Sequence, residues 1–308
     1  IKVESTLGTG STFYFSLLTD NTYPHVLHAD SSERTVDEKE EKEEIPESAS
    51  GGKRIMLIVE DNQDICNYIA ESFSDDFEVK TAANGEQGME QALNSIPDII
   101  VSDIMMPVMN GITMCKILKE DVRTSHIPII LLTAKDSLQD KEEGYQVGAD
   151  SYLTKPFSAT LLHSRINNLL ESRKRLTERF NTSTPHHNMD EKRALLAESL
   201  NKLDNEFIEK INQLIEARLS SEKIDICYLA DNMCMSKSTL YRKMKALTGL
   251  STNEYVRKIK MQHAERLLLE GRYNISEVAF RVGINSVVYF RQCFKEEFGV
   301  LPSEYLKQ

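Results

Sequence analysis

Short apolar runs separated by helix-length amphipathic stretches mark the middle of the chain. Five such runs, IMLIV (55–59), FEVKT (77–81), DIIVS (98–102), PIILL (128–132) and SYL (151–153), are bounded by polar or turn-forming residues. Several are apolar at consecutive rather than alternate positions, as strands of a parallel sheet covered on both faces require. Each alternates with a segment of helical spacing, so 53–172 is predicted to be a small α/β domain, a doubly wound five-stranded parallel sheet. From about Leu203 onward no strand pattern recurs and every segment reads helical. The front of the chain differs. Ile1 and Val3 alternate with polar residues, Gly8-Thr9-Gly10 turns the chain, and Phe13, Phe15 and Leu17 alternate again, which predicts a β-hairpin. So short a hairpin cannot bury a core, and must belong to a larger sheet or borrow one.

Two stretches lack the apolar area that offsets ordering entropy. Residues 33–44 read ERTVDEKEEKEE and lead into Pro46 and Ser48-Ala49-Ser50-Gly51-Gly52, so 20–52 is predicted to be an acidic flexible linker, a solvated helix through the Glu/Lys run being the alternative. Residues 173–202, polar and containing Pro185, His186 and His187, are predicted to be a second linker, its adjacent histidines solvated rather than metal-bound. A length of 308 residues exceeds what one core organises, which fits a multi-domain reading. The hydrophobic fraction of 40% is ordinary, and no apolar run reaches the roughly 18 residues that span a bilayer. Five cysteines, Cys66, Cys115, Cys227, Cys234 and Cys293, include no C-x-x-C pair, which argues against a disulfide framework or zinc finger and for a reducing, cytoplasmic compartment. The chain opens at Ile1 without an initiator Met or signal-peptide pattern, and is expected to be a piece of something longer.

Charge divides the functions. Basic residues number 4 against 11 acidic ones in 1–52, 10 against 19 in 53–171, 9 against 8 in 172–220 and 14 against 10 in 221–308. The span 237–260 alone holds seven basic residues against the single acid Glu254, so any polyanion-binding surface lies in the last third.

In an open parallel sheet the functional crevice lies outside the carboxyl ends of the strands. The residues there agree: Glu60 and Asp61 follow the first predicted strand, Asp103 the third, Thr133 the fourth, and Lys155 comes just after the fifth. Three acids, a hydroxyl and an ammonium thus converge on one rim. Crowded carboxylates repel and need a cation, and Mg²⁺ suits them as a hard ion that keeps waters for a phosphate. Helix capping by each acid separately is the structural alternative.

With LIVEDN (57–62), SDIMMPVMNG (102–111), LLTAK (131–135) and SYLTKPF (151–157), residues 53–172 resemble a response-regulator receiver domain. The resemblance implies that Asp103 accepts a phosphoryl group and that Glu60 and Asp61 hold Mg²⁺ with it. It further implies that Thr133 is the switch hydroxyl, Tyr152 the switch aromatic and Lys155 the partner of the phosphoryl oxygens. Lys155-Pro156 is a candidate cis peptide.

The helical third contains one template twice. A short helix around Leu229-Ala230-Asp231-Asn232-Met233 leads through a turn to Ser236, a predicted N-cap, and a helix from Lys237 to Leu247 ended by Gly249. Ile275 to Val282 leads through Gly283 to Ser286 and a helix to about Phe298, ended by Gly299. These are two helix-turn-helix units with a connecting helix from Asn253 to Leu269. The runs at 236–249, ISEVAFRVG (275–283) and YFRQCFKEEFGVLPSEY (289–305) resemble an AraC-type DNA-binding domain over 203–308. That resemblance implies two recognition helices entering successive major grooves of double-stranded DNA. Carried over, the DNA-facing positions are Lys237, Ser238, Tyr241, Arg242 and Lys245, then Ser286, Val287, Val288, Arg291, Gln292 and Lys295. Arg242 suits guanine, Gln292 adenine, and Lys237 and Lys245 phosphates. Val287 and Val288 depart from the polar residues common there and leave thymine methyl contacts or shape to the second helix. Leu240, Met244, Phe290 and Phe294 sit at core spacing and are expected to pack rather than read.

VESTLGTGSTFYFSLL (3–18) resembles the last strands of a histidine-kinase ATPase domain, the motif being Leu7-Gly8-Thr9-Gly10-Ser11-Thr12-Phe13. Together the resemblances imply the output half of a hybrid two-component protein, a phosphorylation-controlled transcription regulator that pairs into a homodimer and takes its phosphoryl group from an upstream kinase. The chain is then no enzyme beyond its own phosphoryl transfer and hydrolysis. Two other readings stay open here: a receiver acting as a phosphate sink for the kinase, and a helical domain that binds protein instead of DNA.

Overall fold

The computed structural model describes residues 2–6, 10–14, 53–134, 148–181, 200–220 and 224–306; the predicted linker 20–52 and residues 182–199 of the second lie outside them. The chain forms two compact units, 1–45 and 46–308. In the first, strands β1 (Lys2–Thr6) and β2 (Gly10–Tyr14) pair antiparallel, with Thr6 opposite Gly10 and Lys2 opposite Tyr14, the hairpin that the alternation predicts.

The second unit opens with five parallel strands: β3 (Arg54–Val59), β4 (Phe77–Ala82), β5 (Ile99–Asp103), β6 (Ile129–Thr133) and β7 (Ser151–Thr154). Their order across the sheet is β4-β3-β5-β6-β7, with the acid-bearing strands β3 and β5 adjacent. Helices α1 (Gln63–Phe73), α2 (Gly85–Ser95), α3 (Gly111–Glu120) and α4 (Ala159–Asn181) cover both faces. The two-residue period of a strand sorts the core. Leu57 and Val59 pack under α2 and α3 with Ala92, Met114 and Leu118, while Met56 and Ile58 pack under α1 and α4 with Ile69, Phe73, Leu162 and Ile166. Burying each such side chain contributes about 1.5–3 kcal/mol, so strand ends at β3, β5 and β6 are the firmest mounts the domain offers. Asn62, Asn84 and Asn110 cap α1, α2 and α3 through their side chains, each fixing where a loop at the carboxyl edge becomes helix.

Helix α4 corrects one expectation. It runs to Asn181, so 173–181, predicted as the start of a linker, is helical. Its polarity is that of a solvated helix built from strong helix formers, with Arg175–Glu171 at 3.4 Å and Lys174–Glu178 at 3.8 Å in the i,i+4 relation.

The remaining helices are α5 (Lys202–Glu216), α6 (Ile226–Asn232), α7 (Lys237–Thr248), α8 (Thr252–Leu269), α9 (Ile275–Arg281), α10 (Val287–Phe298) and α11 (Pro302–Tyr305). They enclose two cores joined by α8. Tyr255, Val256 and Ile259 at its start join the core of α5, α6 and α7; Met261, Ala264 and Leu268 at its end join that of α9 and α10. Leu240, Met244, Phe290 and Phe294 are fully buried, as their spacing predicts. Helices α7 and α10 end on Gly249 (φ 74°) and Gly299 (φ 78°), where the left-handed backbone that closes each helix favours a residue without Cβ.

Candidate functional site

The parallel register aligns the strand ends into one rim. Val59 pairs with Ser102, Asp103 with Leu132 and Thr133 with Thr154, so the residues at these ends become neighbours despite their separation in the chain. Glu60 and Asp61 follow β3, Asp103 and Thr133 close β5 and β6, and Lys155 follows β7. Glu60, Asp103 and Thr133 are buried, whereas Asp61 is exposed. One carboxylate oxygen from each of Glu60, Asp61 and Asp103 lies within 4.8 Å of the others. The Lys155 ammonium bridges the two buried acids, 2.8 Å from Glu60 Oε2 and 2.9 Å from Asp103 Oδ2. Its own backbone N–H donates to the Thr133 carbonyl at 2.7 Å, and the Lys155-Pro156 peptide is cis, as the sequence suggested.

Electrostatics follow from this crowding. Burial pushes the Glu60 carboxyl above its ordinary value, the Lys155 hydrogen bond opposes it, and the Asp103 charge adds to the rise. Burial alone would lower the Lys155 ammonium, but its hydrogen bonds to Glu60 and Asp103 hold it above its ordinary value. Asp103 keeps Oδ1 as acceptor for the Ile104 N–H at 2.8 Å, which orients the carboxylate with Oδ2 toward the lysine. Tyr152 sits half-buried on β7 against the core under α2 and α3. The donor set is all oxygen and clustered, with Glu60 and Asp103 buried and Asp61 exposed, so the residues fit a hard divalent cation.

One contact at this rim escapes a reading by motif. A Cβ on Gly111, the first residue of α3, would stand 2.0 Å from the Asp103 carbonyl oxygen, and that neighbour is backbone. Gly111→Ala is therefore expected to destabilise the domain by about 3 kcal/mol, because the loop carrying Asp103 has to shift. A lowered urea midpoint at unchanged slope checks it.

In the helical third the structure separates the candidate DNA-facing residues. Ser236 accepts from the Thr239 N–H at 3.1 Å and Ser286 from the Tyr289 N–H at 3.3 Å, so both act as N-caps of α7 and α10. Lys237 and Lys245 are exposed, while Ser238, Tyr241 and Arg242 are half-buried. On α10, Arg291, Gln292 and Lys295 are exposed, with Gln292 Nε2 donating to Glu296 Oε1 at 3.1 Å. The two valines part company: Val288 is 76% exposed, whereas Val287 turns inward against the second core. Lys243, one of the basic residues of this span, is not on the surface at all; its side chain is completely buried beside Asp204. Its position three residues after Leu240 and four before Leu247 was the available signal, since that spacing places it on the packed face.

Known families match both regions. The response regulator receiver domain model matches residues 56–167 and a helix-turn-helix domain model matches 229–308. Histidine kinase P4 of Formosa agariphila is 34% identical over 280 residues, covering 91% of this chain and 19% of that protein. The DNA-binding dual master transcriptional regulator RpaA of Synechocystis is 36% identical over 124 residues, 40% of this chain and 52% of that one. The receiver domain of a signal transduction histidine kinase from Syntrophus aciditrophicus superposes with a TM-score of 0.38 at 31% identity, over 40% of this chain and 93% of its own. The chain thus spans a fifth of the first relative's length and half of the second's. It carries a response regulator receiver domain at 56–167 followed by an AraC-type helix-turn-helix domain at 229–308.

Proposed function

We propose that this chain is the output half of a hybrid two-component protein, in which phosphorylation of Asp103 controls sequence-specific DNA binding and transcription. The observation that carries the reading is the Lys155 ammonium 2.9 Å from Asp103 within a cluster of three carboxylates, in the same chain as two helix-turn-helix units. Asp103 Oδ2 attacks the phosphorus of a phosphohistidine or small phosphodonor. An O–P bond forms as the bond to the donor breaks, and the leaving group takes its proton from solvent. Lys155 neutralises charge on the transferred group, and the Ile104 N–H holds the other carboxylate oxygen. Glu60, Asp61 and Asp103 are the residues that would hold Mg²⁺, which supplies further charge neutralisation when bound. Thr133 and Tyr152 are the proposed switch residues, their hydroxyl and ring responding to the new phosphoryl oxygens.

The DNA-facing set is proposed as Lys237, Ser238, Tyr241, Arg242 and Lys245 on the first unit and Ser286, Val288, Arg291, Gln292 and Lys295 on the second, with Val287 supporting α10 from inside. The support is the exposure of α10's polar face and the capped, glycine-closed form of both helices. The domain boundaries proposed are a kinase ATPase-domain remnant at 1–19, a receiver at 53–172 and a DNA-binding domain at 203–308, and the phosphorylated form is proposed to pair. A cytoplasmic location suits this reading; among the described residues no helix is long and apolar enough to cross a membrane.

The test is selection of bound fragments from random duplex DNA, with and without Mg²⁺ and a phosphodonor, alongside sedimentation of the chain. Enrichment of a repeated site and a heavier species only with the donor are expected. Enrichment that ignores the donor refutes phosphorylation control, and a lack of enrichment in both arms refutes sequence-specific binding.

A further inference from the structure

A cavity of about 490 Å³ lies at the amino-terminal edge of the parallel sheet, opposite the rim that holds Asp103. His126 leads into β6 and Asp150 into β7, and α4, the start of α5 and the end of α7 complete the walls. Its size is that of a site for a small organic molecule. Among the described residues the cations that line it are Lys119 of α3, Arg173 of α4 and Lys202 of α5. Lys119 donates to the Ile127 carbonyl at 2.8 Å and to Asp150 Oδ2 at 2.6 Å, so one N–H of its ammonium is left for a ligand. Arg173 donates to the His126 carbonyl and stands 3.4 Å from Asp150 Oδ1. Asp204, the other acid of the lining, is already matched by the buried Lys243, and Glu206 lies 3.9 Å from Lys202. These four cations therefore outnumber the three acids by one.

Two further features point to a ligand. His126 lines the cavity and is 4% exposed, yet its Nδ1 has no hydrogen-bond partner among the described residues. A buried polar atom left unpaired costs free energy, and calls for a water, an ion or a ligand to satisfy it. Burial and the charges of Lys243, Arg173 and Lys119 hold the imidazole well below its ordinary pKa, so the ring is neutral in positive surroundings. Lys202 and Leu203, the first two residues of the 15-residue helix α5, line the same cavity, and the positive end of the helix dipole adds to the attraction for an anion. The rest of the wall is apolar, with Leu200, Leu203, Ala246 and Leu247.

We propose that this cavity binds a small organic acid of single negative charge, its acidic group toward Lys119, Arg173 and His126 and its apolar body against the leucines. Inorganic phosphate fits less well, because it leaves the leucines wet and its second charge faces Asp150 without a further cation. The proposal goes beyond the phosphorylation-controlled reading and does not rest on it, since none of the cavity's residues belongs to the carboxylate cluster.

Two fluorescent dyes test it on the full chain without phosphodonor. The first, 8-anilinonaphthalene-1-sulfonate, is a singly charged acid on an aromatic body; N-phenyl-1-naphthylamine is the same body without the sulfonate. The charged dye is expected to bind saturably, one per chain, and at least about tenfold more tightly than the neutral one, an advantage that added salt reduces. Lys202→Glu reverses a charge at the exposed mouth, where folding is not at stake, and is expected to weaken the charged dye at least about fivefold while leaving the neutral dye unchanged. Ala246→Trp, at an exposed position of α7, fills the cavity and is expected to abolish saturable binding of both. Binding is also expected to shift the ring nitrogen resonances of His126, assigned by their loss in His126→Phe. Equal affinity for the two dyes, or a charged dye indifferent to Lys202→Glu, overturns the anion site. Saturable binding that survives Ala246→Trp places the dye elsewhere and overturns the proposal, as does a failure of the wild type to bind the charged dye saturably.

Discussion

Asp103→Asn is expected to reduce phosphoryl uptake from acetyl phosphate by at least about a thousandfold, since the substitution removes the nucleophile itself. The amide is nearly isosteric and retains an oxygen for the Ile104 N–H, so the loop keeps its shape. What disappears is the charged oxygen that faces the Lys155 ammonium at 2.9 Å. Two consequences for the rest of the cluster oppose each other. Glu60 loses a like-charged neighbour that raises its pKa, while Lys155 loses one of its two anionic partners. The net change in stability is therefore expected to be small, within about 1 kcal/mol, against a large loss of chemistry. Intact-mass spectrometry after incubation with the donor reads the uptake, and a parallel urea titration reads the stability. The variant is also expected to leave DNA binding and self-association insensitive to the donor. Should it bind DNA and self-associate like the phosphorylated wild type, the acceptor at Asp103 would not be the switch.

Lys243→Ala is expected to cost about 3–5 kcal/mol of stability, because it leaves the buried Asp204 carboxylate without its cation. Asp204 is 2% exposed, and after the substitution the Ser125 hydroxyl is its remaining side-chain donor among the described residues. The lysine contributes more than charge, since its ammonium also lies 4.9 Å from the centroid of the Phe207 ring. Burial lowers the Lys243 ammonium below its ordinary value and Asp204 opposes that shift, the signature of a pair that works only while both members are present. The double variant Lys243→Met with Asp204→Leu is accordingly expected to recover most of the loss, by exchanging a buried ion pair for apolar packing of similar volume. Urea midpoints of the two single variants and the double decide between these outcomes; a double variant as unstable as the worse single one would mean that the pair's role is not charge compensation.

Local physics in the sequence determined the elements and the candidate site. Consecutive apolar residues in 55–59, 98–102 and 128–132 specify strands buried on both faces, and strands of that kind occur in parallel sheets. Once the sheet is parallel, its carboxyl ends share one edge, so Glu60, Asp61, Asp103, Thr133 and Lys155 had to meet although they come from four strands. Ser236, Ser286, Gly249 and Gly299 likewise announce α7 and α10 through short-range capping rules. Tertiary structure alone decided what covers each face. Polar composition could not tell a linker from the solvated helix that runs to Asn181, because both expose charged residues. The spacing of Lys243 marks an inward-facing position, but its partners lie 39 residues away at Asp204 and 118 away at Ser125. No periodicity encodes such pairings, since a repeat along one helix reports which face is buried and not which surface buries it.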